Sequence, residues 1–171
     1  MYGGMCTSEY TQSLLSLSEA ANKSEGVKLT TIFLGNESLI QRGRNTIAHH
    51  FMNLPDATHL LFIDADIKFR VEDVVKMIQA DKSLIIGPVA LKGYQWEEIR
   101  QAAINGEDDI ARTGGVFNIN KLPGIDMVDE NEPFEIEHGG NAFMMIRRDC
   151  FETLKPHTPI YTNGGRSLPD G

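Results

Sequence analysis

The sequence predicts an α/β domain in which a mixed, mostly parallel sheet carries helices on both faces. Three observations predict it. Segments of helical periodicity alternate with short apolar runs through the first half of the chain. Their order (helix, strand, helix, strand, helix, strand) is the one a parallel sheet with crossover helices requires. Finally, 171 residues, 41% of them hydrophobic, suffice for one buried core and are short for two, so residues 1–171 read as a single domain.

The first helix runs over residues 7–22, where Tyr10, Leu14, Leu17 and Ala21 recur at helical spacing and Thr7 is placed to cap the start. Residues 27–34, β-branched and apolar between Gly26 and Gly35, read as a buried strand. Asn36 is a cap for a second helix, whose apolar stripe is Ile40, Ile47, Ala48 and Phe51 and which stops near Asn53-Leu54-Pro55. The run 59–63, ahead of Asp64, is the clearest strand. A third helix follows over 71–80 with Val71, Val74, Val75 and Ile78 inward, then a strand over 84–86 stopped by Gly87-Pro88.

Beyond Gly93 the alternation loosens. Residues 96–104 read as helix, 115–119 as extended, 121–132 as an acidic loop, 134–137 and 142–146 as strands, and 148–154 as a short helix before a turn-rich end. Both ends read as cut. The chain opens on Tyr2-Gly3-Gly4 directly before a helix, where an α/β domain usually has its first strand, and it stops at Asp170-Gly171 within a loop.

Sixteen basic residues against twenty-four acidic ones give a net charge of −8, which argues against a nucleic-acid binder, since that needs a basic stripe to neutralise phosphates. A small anionic substrate is still compatible, because a divalent metal can supply local positive charge. No apolar run reaches the roughly eighteen residues of a membrane span, and the N-terminus lacks the basic-then-apolar pattern of a signal peptide. Cys6 and Cys150 lie far apart and outside any CxxC spacing, so they read as free thiols of a cytoplasmic protein.

The sharpest chemical feature is Leu60-Leu61-Phe62-Ile63-Asp64-Ala65-Asp66, an apolar strand delivering two carboxylates at its C-terminal end. Residues i and i+2 of an extended chain point the same way, so Asp64 and Asp66 are expected to converge while Ala65 turns aside. Carboxylate oxygens are hard ligands suited to Mg²⁺ or Mn²⁺, and ligands of open α/β sheets gather beyond the carboxyl ends of the strands. The competing reading is that the two acids only cap the following turn. Upstream stands Gln41-Arg42-Gly43-Arg44-Asn45, where arginine forks suit phosphate. Two arginines two apart cannot fully share a helix face, so at most one of them is expected to point squarely at the site. Glu137-His138-Gly139-Gly140-Asn141 offers glycines that let backbone approach a ligand, or simply a tight turn. Lys92-Gly93 with Trp96 adds a cation and an aromatic platform at the same sheet edge.

Together, Tyr2-Gly3-Gly4, residues 40–45, residues 58–67, Gly87-Pro88-Val89 with Lys92, and residues 139–148 resemble the GT-A-fold (Rossmann-like) nucleotide-diphospho-sugar glycosyltransferases, in the form found in large DNA viruses, phages and bacteria. The resemblance implies that Asp64 and Asp66 match the DXD motif, which holds Mn²⁺ (or Mg²⁺) against the donor diphosphate. It places Tyr2 where the base docks, Arg42, Arg44 and Asn45 beside the nucleotide, and Gly139 and Gly140 beside the donor sugar and acceptor. Lys92 joins the donor side. The implied reaction is metal-dependent transfer of a sugar from a nucleoside-diphosphate sugar to a hydroxyl of a glycan or other acceptor. Such enzymes usually carry a further acidic motif, and often a metal-binding histidine, beyond the point where this sequence stops. An inverting enzyme needs a carboxylate base. Asp126, Asp129 and Glu130 lie in a loop able to supply one, and stereochemistry stays open. Two other readings compete: a nucleotide- or sugar-binding module without turnover, and a haloacid-dehalogenase-type phosphohydrolase. Against the latter, Lys68 stands where that family normally has Thr or Val.

Overall fold

A computed structural model of the chain describes residues 4–108, 110, 114–124 and 132–159. Its centre is a strand that sequence order does not single out. β7 (Phe143–Arg147) opens with four consecutive apolar residues, a run that suits burial on both faces, and Phe143, Met145 and Ile146 are buried. It lies between β1 (His59–Ile63) and β2 (Leu84–Ile86) and pairs antiparallel with each, Met145 facing Leu61 on one side and Ile85 on the other.

The expectation of a mostly parallel sheet is therefore corrected. β1 and β2 run in the same direction, but β7 separates them, and each pairing among the described residues is antiparallel. Alternation of helices and strands constrains element types; the order of pairing is set by which strand can bury both faces.

Helices cover both sides of this sheet, as the sequence predicts. On one side α1 (Ser8–Lys23) and α3 (Val71–Gln79) bring Tyr10, Leu17, Val74 and Met77 against Phe143 and Met145, with Leu61, Ile63 and Ile85 at the margin. On the other, α2 (Ile40–Met52) and α5 (Arg148–Leu154) set Phe51 and Phe151 against Leu60, Phe62 and Ile146. Odd and even positions of β1 and β7 divide between these two clusters, the alternation that a strand imposes.

The helix boundaries follow from local chemistry. Thr7 caps α1 by accepting from the Tyr10 amide at 3.1 Å, and Tyr10, Ser13, Leu17 and Ala21 make its buried stripe. Asn36 does not cap α2. It sits at φ 57° in a turn, α2 starts four residues later, and the Glu37 carboxylate accepts from the Leu39 amide instead (3.0 Å). The start of α3 is held by the Asp73 carboxylate, which accepts from the Arg70 amide and guanidinium at 3.0 and 2.9 Å. Val74 is buried and Val71 packs beside it as expected, while Val75 and Ile78 are exposed and Met77 completes the inward stripe in their place.

Residues 27–34 form no ladder among the described residues; Val27, Leu29 and Phe33 are 50, 41 and 50% exposed. An extended apolar stretch becomes a strand only beside a neighbour with free backbone groups. β3 (Ala90–Tyr94) was not anticipated, because Lys92-Gly93 interrupts its apolar alternation. It pairs with β4 (Gly115–Phe117), and β5 (Ile119–Lys121) pairs with β6 (Ile136–Gly139). α4 (Trp96–Asn105) stops at Gly106, whose φ of 73° suits glycine. Among the described residues, no helix is long and apolar enough to cross a membrane.

Candidate functional site

β1 ends at Ile63, and the chain turns at once: the Ile67 amide donates to the Asp64 carbonyl at 3.0 Å. Asp64 and Asp66 thus sit in a tight turn at the strand end, and the i, i+2 rule of an extended chain does not govern them. Two backbone bonds fix the turn from outside. The Asp64 amide donates to Ala142 just ahead of β7 (2.8 Å), and the Thr7 amide donates to the Ala65 carbonyl (2.9 Å). Ala65 therefore anchors the turn to the N-terminal end of α1. Thr7, which caps that helix, was legible as a cap, but nothing in the sequence marked it as a clamp on the acidic turn.

Each carboxylate meets its own cation. Arg44 of α2 donates from Nη2 to Asp64 Oδ1 at 2.8 Å, and Lys92 of β3 donates from Nζ to Asp66 Oδ2 at 3.1 Å. The acid side chains are 47 and 48% exposed, Lys92 is 92% exposed and Arg44 only 16%. Arg44 is the positioned member of the group. Its guanidinium lies 5.0 Å from the centre of the buried Phe62 ring, an arrangement that favours a cation over an aromatic face. Its Nε is buried and has no hydrogen-bond partner among the described residues. Leaving such a group unpaired costs about 1–3 kcal/mol, so the fold holds this arginine against the acid turn at some expense.

Of the two arginines only Arg44 bonds to the acids among the described residues, in keeping with a spacing that allows at most one. Arg42 turns the other way and donates from Nε to Glu37 at 2.7 Å, which together with the Leu39 amide holds the Glu37 carboxyl down at about 2. Asn45 is exposed beside Arg44 on α2. Tyr2 lies outside the described residues, as do Asp126, Asp129 and Glu130.

Gly139 and Gly140 have a packing reason for being glycines. A Cβ on Gly139 would lie 2.1 Å from Ile86 Cδ1, and one on Gly140 would lie 2.1 Å from Asn118 Nδ2. Asn118 holds this corner together, accepting from the Val89 amide through its side chain (2.9 Å) and from the Gly140 amide through its carbonyl (2.7 Å). The close approach that glycine permits is filled here by the protein's own side chains. At the opposite end of β1 lies a shallow hollow of about 450 Å³ bordered by Thr58, His59, Arg147 and Arg148. Its arginines are committed to structure: Arg147 bonds to Asp81 (2.9 Å), and Arg148 donates to the Ala57 and Phe51 carbonyls (2.7 and 3.0 Å).

At the acid turn one oxygen of each carboxylate accepts from a cationic side chain, Arg44 on Asp64 and Lys92 on Asp66, and carboxylates are the ligand type that a small hard cation takes. Mg²⁺-type sites are commonly built from one or two carboxylates, with phosphate oxygens and water completing the shell. Among the described residues there is no cluster of three or more His, Cys, Asp or Glu that would hold a metal by protein ligands alone. The site is that of a layered α/β domain with an acid pair and two matched cations at one sheet end. Comparisons of the chain with protein-family models, with curated proteins and with solved structures find no match in any of the three.

Proposed function

We propose that this chain is the donor-binding portion of a metal-dependent GT-A-type glycosyltransferase, which moves a sugar from a nucleoside-diphosphate sugar to a hydroxyl of a glycan or other acceptor. One observation carries the reading. Two carboxylates at the end of an apolar strand are met by cations from two other elements, Arg44 and Lys92. That combination suits a ligand bringing both a divalent cation and a diphosphate.

Asp64 and Asp66 would hold Mn²⁺ or Mg²⁺, which supplies Lewis-acid neutralisation of the leaving diphosphate. Arg44 and Lys92 neutralise the acid pair in the free protein and present N–H donors where phosphate oxygens would lie. Arg44, held over Phe62, needs little reorganisation to do so, which is how preorganised donors assist developing charge. In the transfer itself the bond from the sugar's anomeric carbon to the diphosphate breaks, the bond to the acceptor oxygen forms, and the acceptor proton departs.

Thermal unfolding with Mn²⁺ and a panel of nucleoside diphosphates and their sugars tests this. A ligand present at about 100 times its Kd stabilises by about 2.7 kcal/mol, roughly 5–10 °C in a domain of this size. The expected outcome is a metal-dependent rise with one nucleotide that disappears in the Asp64→Ala/Asp66→Ala double variant. A rise that survives the double variant, or none with any nucleotide, would sink the reading. Binding without donor hydrolysis or transfer would identify a binding module instead.

A further inference from the structure

Beyond Lys92, the last residue of β3 and the first of α4 are exposed aromatics. Tyr94 and Trp96 are 65 and 71% exposed, and their rings lie 5.5 Å apart, tilted by 47°. Large aromatic rings normally contribute their area to a core or to an interface. Tyr94 is two residues, or ~7 Å of extended chain, from Lys92, whose side chain bonds to Asp66. The position of the two aromatics is fixed by backbone: Gln95 between them donates to the Gly114 carbonyl at 3.2 Å, and Trp96 starts α4.

The polar groups around the rings indicate what they would hold. The Gln95 side-chain amide, oriented with its nitrogen toward Glu98, donates to that carboxylate, and Glu97 pairs with Arg100. The residues that flank Trp96 in the chain are thus an amide and two carboxylates, one of them paired with Arg100. A nucleotide or other anion would meet like charge there. An apolar peptide would cover the carboxylates without returning hydrogen bonds, which is costly. A base would also prefer a flat platform to a tilted pair. A neutral sugar satisfies both kinds of surface, since its C–H face is apolar and its rim of hydroxyls donates to carboxylates and amides.

We propose that Tyr94 and Trp96 form a bed for a pyranose ring, and that this bed takes the acceptor saccharide. The second half rests on the transferase reading; the first does not. The acceptor hydroxyl would then be carried toward the acid turn along β3, with the Tyr94–Trp96 corner setting which saccharides are accepted.

Trp96 is the single tryptophan of the chain, so its emission reports directly on this site. The experiment titrates the full chain, without metal or nucleotide, with lactose, maltotetraose, cellotetraose and chitotetraose, following tryptophan fluorescence. The expected result is a saturable change with at least one sugar, weakened about tenfold in Tyr94→Ala and retained in Tyr94→Phe, with unchanged circular dichroism in both. No saturable change with any of the four, or equal affinity in Tyr94→Ala, overturns the proposal. So does a saturable response to a nucleoside diphosphate alone. Sugar binding that persists in Asp64→Ala/Asp66→Ala, in a chain that shows no nucleotide-dependent thermal shift, would leave the bed standing while the transferase reading falls.

Discussion

Arg42 and Arg44 stand two residues apart in the same helix and end in unrelated roles. From Arg44 the side chain passes over Phe62 to Asp64, whereas Arg42 turns back to Glu37 ahead of the helix. Helical spacing was enough to say that one of them would miss the acid turn; it did not say which. The Glu37 pairing has a consequence in pH. Hydrogen bonds from Arg42, then from the Leu39 amide, hold the Glu37 carboxyl at about 2 in the folded chain, against 4.5 for a free carboxyl. A depressed acid stabilises the fold fully above its unfolded value and loses that contribution as pH falls toward its folded value. Melting temperature should therefore drop between pH 4.5 and 2 through this group, and Glu37→Gln should flatten that part of the profile. Melting curves of both chains across pH 2–6 check it, and parallel profiles would show that the pair adds nothing to stability.

Thr7, Leu39 and Gly87 show how far an element can be read from its ends. The Thr7 cap was legible because its hydroxyl serves the next turn of its own helix. The start of α2 was not, because Asn36 is drawn into a left-handed turn and its expected role passes to a carboxylate. Gly87 ends β2, as its position before Pro88 implied, but its need to be glycine comes from another strand. A Cβ there would lie 2.4 Å from Phe143 Cδ1, and Phe143 is buried and stacked on Phe69 at 5.7 Å. Gly87→Ala should cost about 1–3 kcal/mol, the usual range for overpacking. Gly93→Ala meets nothing within 4 Å and should change stability by less than about 0.5 kcal/mol. Urea unfolding of the two variants measures the contrast. Equal midpoints would mean that Phe143 can give way.

The three layers of the molecule depend on β7 lying in the middle of its sheet, with α1 and α3 on one face and α2 and α5 on the other. Protection from hydrogen exchange follows burial and paired backbone. Amides of β7 should exchange slowest, while those of residues 27–34, which have no ladder among the described residues, should exchange fastest of the extended segments. Exchange measured by mass spectrometry or NMR resolves the two regions, and strong protection over 27–34 would show that the stretch finds a strand partner in solution. By itself, the sequence determined the buried stripe of α1, the strands β1 and β2 with the helix α3 between them, the layering of helices on both faces and the acids at the end of an apolar strand. All of these rest on periodicity and capping, which act over a few residues. The tertiary structure alone decided that β7 divides β1 from β2, that Arg44 reaches Asp64 across 20 positions, that Lys92 reaches Asp66 across 26, and that Asn118 and Ile86 fill the space beside Gly139 and Gly140. Strand pairing and side-chain reach are contracts between distant segments, settled by which surfaces can be buried together, and no local pattern encodes them.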